Sequence, residues 1–297
     1  MTTSSGALLV DKPAGLTSHD VVARCRRLLG ERRIGHAGTL DPMATGLLVM
    51  AVGPSTRLLR FAQAQTKRYT GTVRWGVATD SLDADGTVVA TQEVRDLSAS
   101  EVATAAAAME GEQLQTPPMV SALKVGGRRL HALAREGIDV ERAPRAITIQ
   151  SFTLTPTDDP LVWQFDVTCS VGTYVRVLLA DLAGSLGTIG HLTSLRRESS
   201  GTHRVAEAFS LDQLSEMDDV RDVLRPPRDL VAGLEFVELD AAQVARVRQG
   251  QRVSFEGLAQ GSEVAALDTA GQLVGVLSRR GDQWKPDIVL PAHEGAA

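Results

Sequence analysis

The strand-like segments of this chain are separated mostly by hairpin-type turns, and that spacing constrains its fold more than any other feature. Tyr69, Gly71, Val73 and Trp75 alternate with Thr70, Thr72 and Arg74, the period of a half-buried strand. Asp83-Ala84-Asp85-Gly86 is a turn sequence, and residues 87–94 read as the partner strand beyond it. Residues 6–10, 47–52, 121–125, 147–154 and 161–170 read as further strands. Helical spacing marks Val21, Val22, Cys25, Leu28 and Leu29, with Ser18 as the expected N-cap and Gly30 as the stop. Another helix is expected after Pro54. Ser98-Ala99-Ser100-Glu101 carries a capping-box pattern ahead of an alanine-rich helix ending near Gly111, and residues 128–136 and 174–186 also read as helices. Regular βαβ crossovers are absent from this order. The expected class is α+β, with a mixed, largely antiparallel sheet.

At 297 residues the chain exceeds the usual length of one domain, so a large domain with a small companion is expected. The texture changes near residue 234. One helix over residues 241–248 is followed by short strands separated by turns at Gly250, Gly261, Gly271 and Gly281. The predicted division is a large domain over residues 1–233 and a small β-rich domain over 234–297. The acidic, proline-containing stretch 215–233 joins them.

Composition excludes several classes. With 43% hydrophobic and 23% charged residues, the chain reads as an ordinary soluble globular protein. It has no apolar run near the roughly 18 residues of a membrane span, and its first residues lack a secretory-signal pattern. The two cysteines, Cys25 and Cys169, supply neither a disulfide framework nor zinc-ligand spacing, which fits a reducing cytoplasm. The net charge of −5 is unevenly spread: residues 1–70 carry ten Lys/Arg against four acids, while 207–240 carry ten acids against three arginines. Such asymmetry can put a basic face on an acidic protein, as phosphate contacts require.

Chemistry concentrates in the loop that runs from Arg33 through Gly35, His36, Gly38, Asp41 and Pro42 to Gly46. Pro42 biases Asp41 away from helical geometry and presents its carboxylate from a stiffened backbone. The spacing is not that of a phosphate-binding loop. From composition alone a structural turn and a catalytic loop are both open, since an aspartate before proline often caps a turn. The only two tyrosines each sit among cations, in Lys67-Arg68-Tyr69 and in Tyr174-Val175-Arg176. Aromatic rings beside Lys or Arg are what single-stranded or flipped nucleotides stack upon, although core aromatics give the same pattern.

These segments, in order, resemble the TruB family of tRNA pseudouridine synthases. The resemblance covers residues 6–197. It is carried by Gly6-Ala7-Leu8-Leu9-Val10-Asp11-Lys12-Pro13, by the loop from Gly35 to Leu48, by Lys67-Arg68-Tyr69, and by the segment from Thr79 to Gly86. Ser121-Ala122-Leu123-Lys124, the segment from Ser170 to Arg176, and the one from Gly190 to Arg197 complete it. His131 stands where many members carry an aromatic residue. Residues 234–297 resemble the small PUA-like C-terminal domain of bacterial members.

The resemblance implies a catalytic domain of pseudouridine synthase type. It implies a tRNA pseudouridine-55 synthase that detaches uracil from C1′ of a T-loop uridine, turns it over and reattaches it through C5. Asp41 matches the catalytic aspartate, able to form a covalent intermediate. Arg176 matches the arginine expected to pair with it. Tyr69 matches the tyrosine that packs on the base and assists C5 deprotonation, a role that needs activation because an unperturbed phenol is a poor base at neutral pH. Tyr174 and Leu195 match the lining of the uracil pocket, and His36 matches a histidine that stacks around the extruded base. Lys12 is expected to support the site or the RNA backbone. No metal and no cofactor is expected. The expected partner is the tRNA T-stem-loop, without guide RNA or membrane, and the expected state is a cytoplasmic monomer. The alternative is an RNA-folding chaperone that grips tRNA without obligatory chemistry, and a glycoside hydrolase using Asp41 lacks an acid partner. His19, His131, His191, His203 and His293 show no triad or metal pattern, and Asp80, Asp83 and Asp85 read as a turn because the loop-closing glutamate of a calcium site is missing.

Overall fold

The computed structural model describes residues 5–121, 124–125, 127–129, 136, 138, 140–255 and 261–292. Two compact units divide the chain. One comprises Met1–Pro42, Gly46–Gln65 and Ser200–Ala297; the other comprises Met43–Thr45 and Thr66–Ser199.

In the first unit the strand Gly6–Lys12 lies antiparallel to Thr45–Val52, which also receives the short strand Ile34–His36. The strand Phe209–Ser210 adds in parallel on the other side of Gly6–Lys12. Residues 47–52 are all buried, and the two-residue period of a strand explains why. Leu47, Val49 and Ala51 join Ala7 and Leu9 in one core; Leu48, Met50 and Val52 join Leu8 and Val10 in another. The second core is covered by the helix Ser18–Leu29 through Val21, Val22, Cys25 and Leu29. That helix begins one residue earlier than expected. Thr17, not Ser18, is the N-cap and forms a capping box with Asp20, which leaves Ser18 inside the first turn and buried. Gly30 ends the helix at φ 61°, as a glycine C-cap does.

The first core reaches into the C-terminal region. Glu263–Leu267, Leu273–Arg280 and Gln283–Val289 form an antiparallel meander, with Glu235–Glu238 added in parallel. One face of this sheet sends Ala265, Val276 and Ile288 into the core built by Leu9, Leu47 and Val49. The other face packs Val264, Ala266 and Leu277 against Val244 and Val247 of the helix Ala241–Arg248.

In the second unit the strands lie in the order Gly190–Ser200, Lys67–Trp75, Val162–Cys169, Arg145–Pro156 and Gly111–Gln115. The last three contacts are antiparallel. Alternate residues Trp163, Phe165, Val167 and Cys169 are buried. The long strand changes phase: Ile147 and Ile149 are buried before a bulge, Phe152 and Leu154 after it. One extra residue flips the alternation, so both halves keep apolar side chains inward. The helix Val175–Ser185 is buried along most of its length.

Several segments differ from expectation. The strand Val88–Thr91 is shorter than residues 87–94 and pairs with Val77–Thr79 rather than with residues 69–75. Gly111–Gln115 is an edge strand whose polar composition concealed it. Arg128–Arg129, read as helical, pair as strand with Lys124–Val125; residues 130–135, His131 among them, lie outside the described residues, as does His293. Ser98 caps the helix Ala99–Ala107 through the Glu101 amide, but the Glu101 carboxylate turns to Arg95 instead of closing the box. A guanidinium is a stronger partner than a backbone amide.

Because the C-terminal sheet shares its core with the first strands, Ile288→Ala should cost about 2–5 kcal/mol. Hydrogen exchange should then show faster opening at the amides of Leu9 and Val49, and protection unchanged at those amides would contradict a shared core.

Candidate active site

The first unit positions the Asp41 loop. The strand Gly6–Lys12 delivers Lys12 into full burial, and its Nζ donates to the carbonyls of Pro13 (2.9 Å), Leu16 (2.6 Å) and Pro42 (3.1 Å). The Gly15 amide donates to the same Pro42 carbonyl at 2.8 Å. On the other side of Asp41, the buried Ser18 hydroxyl accepts from the Leu40 amide at 2.9 Å and donates to the Leu40 carbonyl at 3.1 Å. Both neighbours of Asp41 are therefore anchored, while Asp41 itself is half-buried. Gly38 at φ 108° and Gly46 at φ 98° supply backbone turns that side chains rarely permit. Lys12 is thus fully buried against the Asp41 loop, its ammonium set among backbone carbonyls.

His36 ends the strand Ile34–His36 and is half-buried. Its ring stands edge-on to that of His19, with centroids 5.5 Å apart.

The second unit carries Tyr69, Tyr174, Arg176 and Leu195. Tyr69 is buried on the strand Lys67–Trp75, opposite Val167. Leu195 is buried on Gly190–Ser200, and its carbonyl accepts from the Thr45 hydroxyl at 3.4 Å. Tyr174 is the N-cap residue of Val175–Ser185. Gln115 clamps it from the edge strand, accepting from the Tyr174 amide at 2.8 Å and donating to its carbonyl at 3.1 Å.

Arg176 is 3% exposed, and its guanidinium is fixed at several points. Nη1 donates to the Ser81 carbonyl at 2.8 Å and lies 3.3 Å from the Asp83 carboxylate; Nη2 donates to the Val120 carbonyl at 3.0 Å. Asp83 is itself buried and organised. Its Oδ1 accepts from the Ser81 hydroxyl at 2.5 Å and the Asp85 amide at 3.2 Å, and the Thr79 hydroxyl donates to its carbonyl at 2.7 Å. Within this turn Leu82 adopts φ 65°, an unusual left-handed conformation for a branched side chain. The segment is a turn, as read from sequence, closed by the Gly86 amide on the Asp83 carbonyl. Sequence reasoning missed its second role as the socket for Arg176. The available signal was electrostatic: an arginine on an apolar helix needs a buried carboxylate.

Other expected features stay structural. His191 Nδ1 meets the Val77 carbonyl at 2.8 Å, and His203 Nε2 meets that of Asp229 at 3.2 Å. Burial holds the His203 imidazole below its usual range. Among the described residues no group of three His, Cys, Asp or Glu could hold a metal ion.

Residues 26–175 match the TruB family pseudouridylate synthase model for the N-terminal domain, half of the chain. This chain belongs to the TruB family. Relatives extend the family likeness past Arg176 and Leu195. A tRNA pseudouridine synthase B of Arthrobacter sp. (strain FB24) is 41% identical over 98% of both chains, and one of Rhodococcus jostii (strain RHA1) is 44% identical over 96% of this chain and 94% of that protein. The family fold is also seen in a solved Cbf5-Nop10-Gar1 complex, with a TM-score of 0.75 at 23% identity over 97% of this chain and 86% of that one. The expected α+β fold of pseudouridine synthase type, with a separate small C-terminal sheet, is the fold observed.

Removing the carboxylate of the buried pair should be costly. Asp83→Ala is expected to lower unfolding free energy by about 3–5 kcal/mol, because it removes the carboxylate beside a buried guanidinium. Asp83→Asn, which removes the charge and keeps an acceptor, should fall between the wild type and Asp83→Ala; urea denaturation of the two variants would show the order, and an Asp83→Asn variant as stable as the wild type would discount the ion pair.

Proposed function

We propose that this chain is a stand-alone tRNA pseudouridine synthase that converts uridine 55 of the T-loop without a guide RNA. The observation that carries the reading is Asp41, held between two anchored neighbours in the loop by which the family is recognised. Full-length similarity to proteins named tRNA pseudouridine synthase B supports tRNA as the substrate.

The target base sits inside a folded loop, so it must be extruded before any residue can reach it. His36 stacks where the base leaves, and Tyr174 and Leu195 line the pocket that receives it. Asp41 is the nucleophile; its anchored backbone limits the orientational entropy lost on attack. The N1–C1′ bond breaks, the uracil turns, C5 bonds to C1′, and the bond made by Asp41 is broken again, which returns its carboxylate. Tyr69 packs on the ring and takes the C5 proton, while N1 gains one. Arg176, immobilised by Ser81, Val120 and Asp83, is the fixed cation of the site. Residues 234–297 act as a PUA-like module that holds the tRNA, and the protein works as a cytoplasmic monomer.

The assay is tritium release from unmodified tRNA labelled at uracil C5, with purified protein, no added RNA and excess EDTA. Release is expected from the wild type, with none from Asp41→Asn despite retained tRNA binding. Silence from the wild type, or undiminished release from Asp41→Asn, would sink the mechanism. Replacing the T-loop uridine by cytidine should abolish release, and persistence would move the target elsewhere.

A further inference from the structure

Tyr69 is asked to act as a base, yet an ordinary phenol titrates near 10 and is almost wholly protonated at neutral pH. Its strand neighbours bear on that difficulty. Lys67 and Tyr69 are two positions apart and both buried, on the same face of the strand Lys67–Trp75, with α-carbons about 7 Å apart. The adjoining strand Gly190–Ser200 brings in Arg197, 1% exposed and close enough for its charge to act on Lys67. Leu195, of the proposed uracil pocket, precedes Arg197 by two positions on that strand and is buried as well.

We propose that Lys67, with Arg197 behind it, is the positioning cation that makes the Tyr69 phenol a base by stabilising its phenolate. The inference rests on the reading of Tyr69 as the group that takes the C5 proton. Two positive charges in a low-dielectric site favour an adjacent anion far more than they would in water. The phenol loses its proton to solvent before turnover. The phenolate oxygen then takes the C5 proton, and the C5–H electron pair returns to the uracil ring; Lys67 neither gains nor loses a proton in that step.

Ionisable groups near Lys67 include Cys169, Arg68 and Glu198. Cys169 stands opposite it on Val162–Cys169, and burial pushes that thiol up to about 11, so it is neutral at working pH. Arg68 alternates to the exposed face, where Asp166 neutralises it, and Glu198 accepts from Thr70 at 2.9 Å. Burial, and then the charge of Arg197, pulls the Lys67 amine down to about 8. The ammonium therefore persists at neutral pH and fades above it. Holding that charge disfavours folding below about pH 8, because the unfolded chain binds the proton more tightly; stability from this site rises as pH climbs from about 8 towards the free lysine value. A buried cation kept at that cost points to function.

The chain has only two tyrosines, so a Tyr174→Phe background isolates Tyr69. Its phenolate can be followed by near-ultraviolet absorbance as pH is raised. Tyr69 is expected to titrate well below 10. Lys67→Met should raise that midpoint by a unit or more, and Lys67→Arg should leave it low. In otherwise wild-type protein, single-turnover tritium release by Lys67→Met should fall about tenfold at neutral pH and recover at higher pH, with tRNA affinity unchanged. A Tyr69 midpoint at about 10, or one indifferent to Lys67→Met, overturns the inference. The first of these measurements decides even if Lys67→Met does not fold. Full release by Tyr69→Phe removes the underlying reading of Tyr69 and this inference with it. Lost release by Tyr69→Phe, with a midpoint indifferent to Lys67, overturns the inference alone.

Discussion

A lysine ammonium taken fully out of water costs several kcal/mol unless its hydrogen bonds are replaced. Lys12 meets that requirement with backbone carbonyls, one of them the carbonyl of the residue after Asp41. Much else depends on this arrangement. The turn after the first strand must bring Pro13 and Leu16 around the ammonium, and the Asp41 loop must return to offer Pro42. Ser18 then bolts Leu40 from the first turn of the helix, a position open to it because Thr17 has taken the cap. Two buried polar side chains thus hold both neighbours of Asp41. The entropy of fixing the backbone around that carboxylate is therefore lost on folding.

The second unit uses the same economy on a cation. Arg176 would be a liability in a helix that is apolar nearly all round, and the turn over residues 79–86 converts it into a fixed donor. That turn accepts a left-handed Leu82, at a cost of about 1–2 kcal/mol. In return the Leu82 carbonyl receives the Leu192 amide at 3.1 Å, and Ser81 and Asp83 face Arg176. Local strain of this kind persists where the surrounding structure over-determines it, which is common beside functional groups.

The cores show how few apolar residues are needed to tie distant segments together. A six-residue run, 47–52, contributes alternate side chains to two cores and so couples the C-terminal sheet, on one face, to the helix Ser18–Leu29 on the other. The strand bearing Asp41's loop is rigid because both of its faces are occupied, and interior packing transmits little play.

By itself the sequence determined the fold class, the family and most of the local elements. Turn spacing marked an α+β sheet, period-2 alternation marked the strand of Tyr69, and the ordered motifs marked Asp41, Arg176 and the family. These are short-range patterns, set by residues that lie near one another in the chain. Tertiary structure decided what each polar group meets. The place of Lys12 against the Asp41 loop, and of the 79–86 turn as a socket for Arg176, rests on partners 30 and 95 positions away. The pairing of Val88–Thr91 with Val77–Thr79 and the burial of Lys67 beside Arg197 are likewise invisible to local patterning. The physical reason is that a buried charge is tolerable only where the fold supplies its partners, and those partners are chosen in space, not along the chain.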